Sequence, residues 1–281
     1  MFKSVDLKLQ LVELLISSYA NVDLSKVKII GVQHILETTH SMFRSLYLLG
    51  LKPENIAIIG KCYSTCKEVF EEMLDDGIYV DPSSSSYCSH KSYDEWFSLN
   101  IENFLTSQID DLLSGKYEKI LVLDDGGKCI KALNKFSINT NLIVAIEQTT
   151  SGYEDIRYGC FNFPIINVAR SATKLNIESP MIAQAASERL YLSLQRKGLK
   201  TNKVLIIGKG AIGNAMKNKF ASNMEVVCYD RNQKTYDQAK VELSEIINQF
   251  PLILGCTGKI SIPFDLHSKI SPGTVLASVS S

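Results

Sequence analysis

Residues 203–230 hold the most chemically specific spacing in the chain. Gly208, Gly210 and Gly213 stand as G-x-G-x-x-G between an apolar run, Val204 to Gly208, and a stretch of helical character that ends near Phe220. In a strand–turn–helix unit the first glycine allows the tight turn, the second lets the backbone approach a pyrophosphate, and the third lets helix and strand pack closely. The diphosphate of a dinucleotide would rest on the N–H groups that open the helix, at Gly210, Ala211 and Ile212. Asp230 closes the next apolar run, EVVCYD, at the spacing where an acid hydrogen-bonds the ribose hydroxyls of NAD. NAD is the expected cofactor, and Arg231 beside the acid keeps NADP open, because an arginine there can accept a 2′-phosphate.

Other residues that could do chemistry sit at the ends of apolar runs, which the pattern reads as strands. His34 follows VKIIGVQ, Asp124 and Asp125 follow KILVL and precede two glycines, and Gln148, Thr149, Thr150 and Ser151 follow IVAIE. Helical patterns separate these runs: residues 7–19, Glu37 to Leu49 with Gly50 as its stop, Ser64 to Asp75 with Ser64 as a cap, Tyr93 to Ser114, and Ile177 to Arg196 stopped near Gly198. Short strands are also expected at NIAIIG, IYVD, FPIINVARS, LILGCTG and TVLASVSS, and an exposed loop over Pro82 to Tyr93. Alternating strands and helices with near-continuous apolar strands predict parallel sheets covered on both faces. The expected fold is α/β, with two doubly wound parallel-sheet domains. An N-terminal substrate-type domain covers 1–172, a connecting helix 173–198, and a Rossmann dinucleotide-binding domain 199–281.

Composition narrows the function classes. Thirty basic and thirty acidic side chains cancel, so no overall field attracts nucleic acid or an anionic membrane. No apolar run approaches the length of about 20 residues that a bilayer requires, and a cytoplasmic location is the default expectation. The seven cysteines are scattered, and Cys62 and Cys66 have neither a second pair nor a nearby histidine, so reduced thiols are expected and no metal site. His40, His90 and His267 carry no motif and read as surface or packing residues, and Cys256 as a small side chain in a loop.

Taken in order, VQHIL, VLDDGG, EQTTSG, PIINVARSATK, GKGAIG with Asp230, and GCTG resemble the motifs of the S-adenosyl-L-homocysteine hydrolase family from about Val27 to the C-terminus. The resemblance implies a tightly bound NAD used and regenerated within one turnover. A ribose 3′-hydroxyl is oxidised so that the 4′ proton becomes acidic, homocysteine is eliminated, water adds, and the ketone is reduced again. It implies catalytic roles for His34, for Lys174 as the base at the 3′-hydroxyl, and for Glu178 where the family has an aspartate. Thr149, Thr150 and Ser151 would hold the nicotinamide ribose and amide, Thr257 and Gly258 would line the cofactor, and Asp124 and Gln148 would line the substrate. A lysine can serve as base where burial lowers its pKa. The resemblance also implies oligomers, and a homodimer is expected on that ground alone.

The departures from the family point away from its complete reaction. Lys67 stands where the family has a catalytic acid, Gln148 replaces a second acid, Ser179 replaces an asparagine, and Leu36 and Thr38 change the adenosine contacts. The chain also stops at Ser281, short of the family's remaining cofactor-domain and tail segments. Two classes of function follow. One is an NAD-dependent enzyme that oxidises a secondary hydroxyl of a nucleoside-like or other small polar metabolite, with adenosylhomocysteine hydrolysis as its narrower form. The other is a non-catalytic NAD-binding sensor or partner subunit.

Overall fold

The computed structural model describes residues 8–19, 21–88, 90–230 and 242–279, which form two compact units that divide between Ala169 and Arg170. In the first unit six parallel strands lie in the order β3-β2-β1-β4-β5-β6, with β1 at Val27–Ile35, β2 at Ile56–Thr65, β3 at Tyr79–Val80, β4 at Lys119–Asp124, β5 at Ile143–Glu147 and β6 at Ile165–Asn167. Alternation of side chains along the strands makes two cores. Ile30, Val32, Ala57 and Ile59 face one side, where they pack with Phe97, Ile101, Phe104 and Cys129 of helices α4 (Tyr93–Leu113) and α5 (Lys128–Leu133). Ile29, Ile56 and Ile58 face the other, against Phe43, Val69 and Met73 of α2 (Glu37–Leu46) and α3 (Lys67–Asp75).

Strand order reverses between β1 and β4, and the fit there is close. A Cβ at Gly31 would lie 1.9 Å from the Leu123 carbonyl oxygen, so only glycine lets the two strands pair in this register. Strand-end loops diverge from such a reversal and leave a crevice at the carboxyl ends of the strands.

The second unit holds four parallel strands in the order β10-β9-β7-β8, with β7 at Lys203–Ile207, β8 at Glu225–Tyr229, β9 at Leu252–Gly255 and β10 at Val275–Ser278. Helices α7 (Ser179–Arg196) and α8 (Ala211–Phe220) cover one face through Ala183, Leu190, Met216 and Phe220. On the other face lie Leu243 and Ile247 of the short helix α9 (Leu243–Ile246) and the turn that follows it, together with Leu266. The helix expected to connect two domains therefore packs as part of the second unit.

Several local expectations are corrected. Ser64 does not cap a helix: β2 runs on to Thr65, α3 starts at Lys67, and the Ser64 hydroxyl meets His34 instead. The serine-rich segment is not wholly exposed, because Asp81 caps a 3-10 turn over Pro82–Ser85, and Ser84 is fully buried with its hydroxyl accepting the Gly60 N–H at 2.7 Å. The opening helix, α1, is confined to Gln10–Ser17, and of its apolar residues only Ile16 is buried. A turn of π-helix over Lys174–Glu178 precedes α7, so that helical backbone starts before the expected Ile177. Thr149 caps a seven-residue helix, α6 (Thr150–Ile156), that the apolar pattern did not indicate. Gly50 ends the helical segment with φ 83°, as a left-handed stop requires.

At the amino ends of the strands, Lys28 is buried and its Nζ meets Asp111 Oδ2 at 2.8 Å, while Lys116 and the Tyr117 hydroxyl hold the same carboxylate. Burial raises the Asp111 pKa, but its bonds to Lys116, Lys28 and Tyr117 outweigh this and take it down to about 2. This contribution to stability is complete above about pH 4, the ordinary aspartate range, and is lost as pH falls toward 2. Asp111→Ala strands a buried ammonium and is expected to cost about 3–5 kcal/mol in urea denaturation at pH 7. A loss below about 1 kcal/mol would show that the clip carries no such weight.

Candidate functional site

In the first unit the strand ends assemble a polar cluster. His34, near the end of β1, lies with Nδ1 2.5 Å from Ser64 Oγ and Nε2 3.4 Å from Asp125 Oδ2. When the imidazole is neutral, the carboxylate takes the Nε2–H and Ser64 donates to Nδ1. Lys61, on β2, is buried and pairs with the other oxygen of Asp125. Burial works against the Lys61 charge, but Asp125 and the Tyr63 hydroxyl outweigh it and raise the pKa. Burial likewise would raise Asp125, yet the bond from His34 and the charge of Lys61 hold it down at about 2. The cluster therefore contains a fixed ammonium and a fixed carboxylate beside an imidazole.

The D-D-G-G sequence behind this cluster has a divided task. Asp124 does not line the crevice as expected: it is fully buried, paired in register with Glu147 of β5, and its Oδ2 accepts the Ile130 N–H at 2.8 Å. Asp125, one residue on, is the acid that reaches the site. Gly126 and Gly127 have φ of 122° and 72°, and a Cβ at Gly127 would lie 2.9 Å from the Gly152 carbonyl oxygen, so the turn into α5 needs glycine. Glu147 Oε1 accepts the N–H groups of Gly126 and Thr149 and the Thr149 hydroxyl, at 3.3, 2.7 and 2.7 Å.

The remaining expected residues fall as follows. Gln148 Oε1 accepts from Gln33 Nε2 at 2.8 Å, which ties the ends of β1 and β5 together. Thr149 does not hold its hydroxyl out for a ligand, because it donates to Glu147 and accepts from the Gly152 N–H, whereas Thr150 is exposed and Ser151 half-buried. Lys67, the reversed charge, is 82% exposed and its nearest acid is Glu71 at 3.8 Å, so the change falls on solvent. Leu36 and Thr38 are exposed; His40 is buried between α2 and α3 with its Nε2 2.8 Å from Asp76; His90 and His267 lie at the surface. Lys61, Ser64 and Glu147 were not singled out as site residues by sequence, whereas Asp125 was read beside Asp124 as a strand-end acid that could line a site. A polar side chain closing each apolar strand, with its period of two, was the signal that would have placed Lys61 as it placed Asp125.

In the second unit Lys174 and Glu178 pair with each other at 3.1 Å across the π turn, and the Ser179 hydroxyl donates to the Lys174 carbonyl at 2.8 Å. Lys174 is 33% exposed, so the buried, isolated base expected of it is not what the structure presents. The glycine turn has the expected geometry. Gly208 has φ 107°, with the Cys256 carbonyl oxygen 2.7 Å from where its Cβ would stand, and a Cβ at Gly213 would lie 1.8 Å from the Gly208 carbonyl oxygen. Gly210 differs: φ is −69°, and a Cβ there meets nothing within 4 Å. It precedes α8 without a side-chain cap, and Asp230 Oδ2 accepts the Lys209 N–H at 2.6 Å, holding the acid beside the turn. Ala211 and Ile212 are half-buried in the first turn of α8. Thr257 is exposed and bonds within its own loop, to Lys259 and Ser261, with Gly258 next to it at φ 65°. Arg231 lies outside the described residues. A groove of about 700 Å³ between α7 and β10, lined by Ile182, Leu190, Val275 and Leu276 among others, includes none of the expected site residues.

No cluster of three or more histidine, cysteine, aspartate or glutamate side chains suited to a metal ion occurs among the described residues, and no described helix is long and apolar enough to cross a membrane. The described cysteines are free thiols, with Cys129 and Cys256 buried.

These two units define an α/β protein with two parallel sheets, the second built on a dinucleotide-type glycine turn. No protein-family model matches the chain. The uncharacterized proteins Rv0104 and MT0113 of two Mycobacterium tuberculosis strains are each 36% identical to it over 261 residues, 92% of the chain and 51% of theirs. The chain thus spans about half the length of the curated relatives it matches. Among solved structures, NAD+-bound 3-phosphoglycerate dehydrogenase of Entamoeba histolytica aligns with 90% of the chain and 71% of its own, at 15% identity and a TM-score of 0.39. Apo D-lactate dehydrogenase of Escherichia coli aligns with 68% and 72%, at 13% identity and a TM-score of 0.38. Superpositions this loose transfer no site residue and no activity.

The buried Asp124–Glu147 pair generates a prediction. Burial first, then the neighbouring Glu147, push Asp124 up to about 8, so it keeps its proton at neutral pH. A raised acid contributes stability that is complete below about pH 4 and lost as pH rises to 8. Asparagine retains the acceptor for Ile130 and does not titrate. Wild-type stability should therefore fall by at least about 2 kcal/mol more than that of Asp124→Asn between pH 5 and pH 8. Parallel pH profiles from chemical denaturation would refute a protonated Asp124.

Proposed function

We propose that this chain is an NAD-binding oxidoreductase that oxidises a secondary hydroxyl of a nucleoside-like or other small polar metabolite. The glycine turn carries the reading. Gly208 and Gly213 are required by the fold, because a Cβ at either would strike backbone, whereas Gly210 is not. The space kept open at Gly210, in front of an uncapped helix start with Asp230 beside it, suits a dinucleotide diphosphate and its ribose. Gly208, Gly210, Ala211, Ile212, Gly213 and Asp230 would hold NAD, and Thr257 and Gly258 would border it. NAD, when bound, supplies a hydride acceptor.

The chain's own residues supply the rest of what alcohol oxidation needs. The hydroxyl proton must pass to a base and the substrate must be oriented. In the first unit His34, oriented by Ser64 and Asp125, offers one base, and the fixed charges of Lys61 and Asp125 offer partners for polar substrate groups. In the second unit Lys174, ion-paired with Glu178, is the base that the sequence resemblance names, and it would take a proton only once that pair is broken. The narrower reading, hydrolysis of adenosylhomocysteine, draws on the sequence resemblance alone.

Gly210→Val tests the cofactor site with little interference from folding, because a Cβ at this position meets nothing within 4 Å. NAD binding measured by calorimetry should be lost, at least tenfold in Kd, with circular dichroism and thermal midpoint unchanged; retained binding would remove the site. With NAD bound, Lys174→Met should suppress substrate-dependent formation of NADH absorbance at least tenfold without weakening cofactor binding, and unchanged turnover would take Lys174 out of the mechanism.

A further inference from the structure

Beside the His34 cluster stands a group of aromatic rings that the proposed reaction does not use. Tyr63, at the end of β2, lies 6.3 Å from the His34 ring in edge geometry and 5.4 Å from Tyr93, at the start of α4. Tyr93 stacks on Phe97 at 5.4 Å with planes 16° apart, and is 6.1 Å from Trp96. Tyr87, from the segment before α4, stands edge-on to Trp96 at 5.4 Å and donates its hydroxyl to the Lys91 carbonyl at 2.8 Å. The capping box of Ser92 and Glu95 fixes the start of α4, and with it Tyr93 and Trp96.

Two features of this group point to a ligand. Tyr63 and Tyr87 are 56% and 48% exposed although they belong to a packed aromatic cluster, so ring area is left uncovered next to fixed charges. The Tyr93 hydroxyl is buried and has no hydrogen-bond partner, although a buried hydroxyl ordinarily finds one. Burial keeps the phenol protonated, so it remains a donor throughout the physiological range.

We propose that Tyr63 and Tyr93 form a ring-binding subsite of the first unit, which takes a planar heteroaromatic group of the ligand. The ring stacks on Tyr63, an acceptor atom of the ring takes the Tyr93 hydroxyl, and the polar remainder of the same ligand meets His34, Asp125 and Lys61. The inference rests on the reading of the His34 cluster as a substrate site, and narrows its substrates to those that carry an aromatic ring. The subsite is built by β2 and α4, not by Leu36 and Thr38, the residues after His34 where the sequence resemblance locates adenosine contacts. Stacking on an aromatic side chain tolerates different bases, because each presents a π-face.

Trp96 is the only tryptophan in the chain, so its fluorescence reports on this cluster. Adenine, cytosine and nicotinamide, added separately to the whole protein, should each change that fluorescence saturably, and ribose at the same concentration should not. For the tightest of them, Tyr63→Ala should weaken binding about tenfold or more. Tyr63→Phe, which keeps the ring, should bind as wild type does, and Tyr93→Phe should lose several-fold. Binding that is equal in Tyr63→Ala and wild type, or no saturable change with any aromatic probe, overturns the subsite. Gly210→Val separates the two readings: it should lose NAD binding by calorimetry and keep the Trp96 response to the aromatic probes, and a response lost together with NAD binding would put the probes at the glycine turn and overturn the subsite.

Discussion

The close pairing of β1 with β4 is the constraint from which the first unit's chemistry follows. Two backbones meet at Gly31 with no room for a methyl group, and the strand order turns back on itself at that seam. His34 is carried on one side of the reversal and Asp125 on the other, while β2 brings Lys61 and Ser64 alongside. Side chains separated by up to 91 positions therefore converge without a loop having to reach for them. Beneath them, the buried acids of β4 and β5 and the Gly126–Gly127 turn hold Asp125 at the seam. An error in the strand pairing would separate the imidazole from its carboxylate before any residue of the site had changed.

Much of this was legible in the sequence because parallel strands buried on both faces must be continuously apolar. The runs ending at His34, Asp124 and Glu147 announced strands, and G-x-G-x-x-G announced a turn whose backbone requirements the structure meets at Gly208 and Gly213. What was not legible depended on register and on partners. Sequence marks Asp124 and Asp125 as neighbours, but only the pairing of Asp124 with Glu147 decides which one is sealed in and which one faces the crevice. Ser64 looked like a cap because serine before a helical pattern usually is one, yet the strand continues past it and its hydroxyl is claimed by a histidine 30 positions away. Lys67 looked like a lost acid within a site, whereas its place on the outer side of α3 leaves it to solvent.

The two glycine-rich turns show how one residue type serves different demands. At Gly126 and Gly127 the backbone itself requires positive φ, and at Gly213 a neighbouring carbonyl forbids a side chain. Gly210 meets neither demand, since its φ is ordinary and its surroundings are open. Glycine at that position is therefore better accounted for by something that approaches the turn than by the turn itself.

The ends of the first sheet divide their labour. The clip of Lys28, Asp111, Lys116 and Tyr117 gathers charge at the amino ends of β1 and β4, and the His34 cluster gathers it at their carboxyl ends. Four non-polar residues of each strand, 29–32 and 120–123, lie between them, a separation of roughly 15 Å at the rise of an extended chain. Strength and chemistry thus occupy opposite poles of the same two strands, and each pole can drift in sequence without taxing the other. A lineage altering its ligand would rewrite the carboxyl-end tips and inherit the anchor intact.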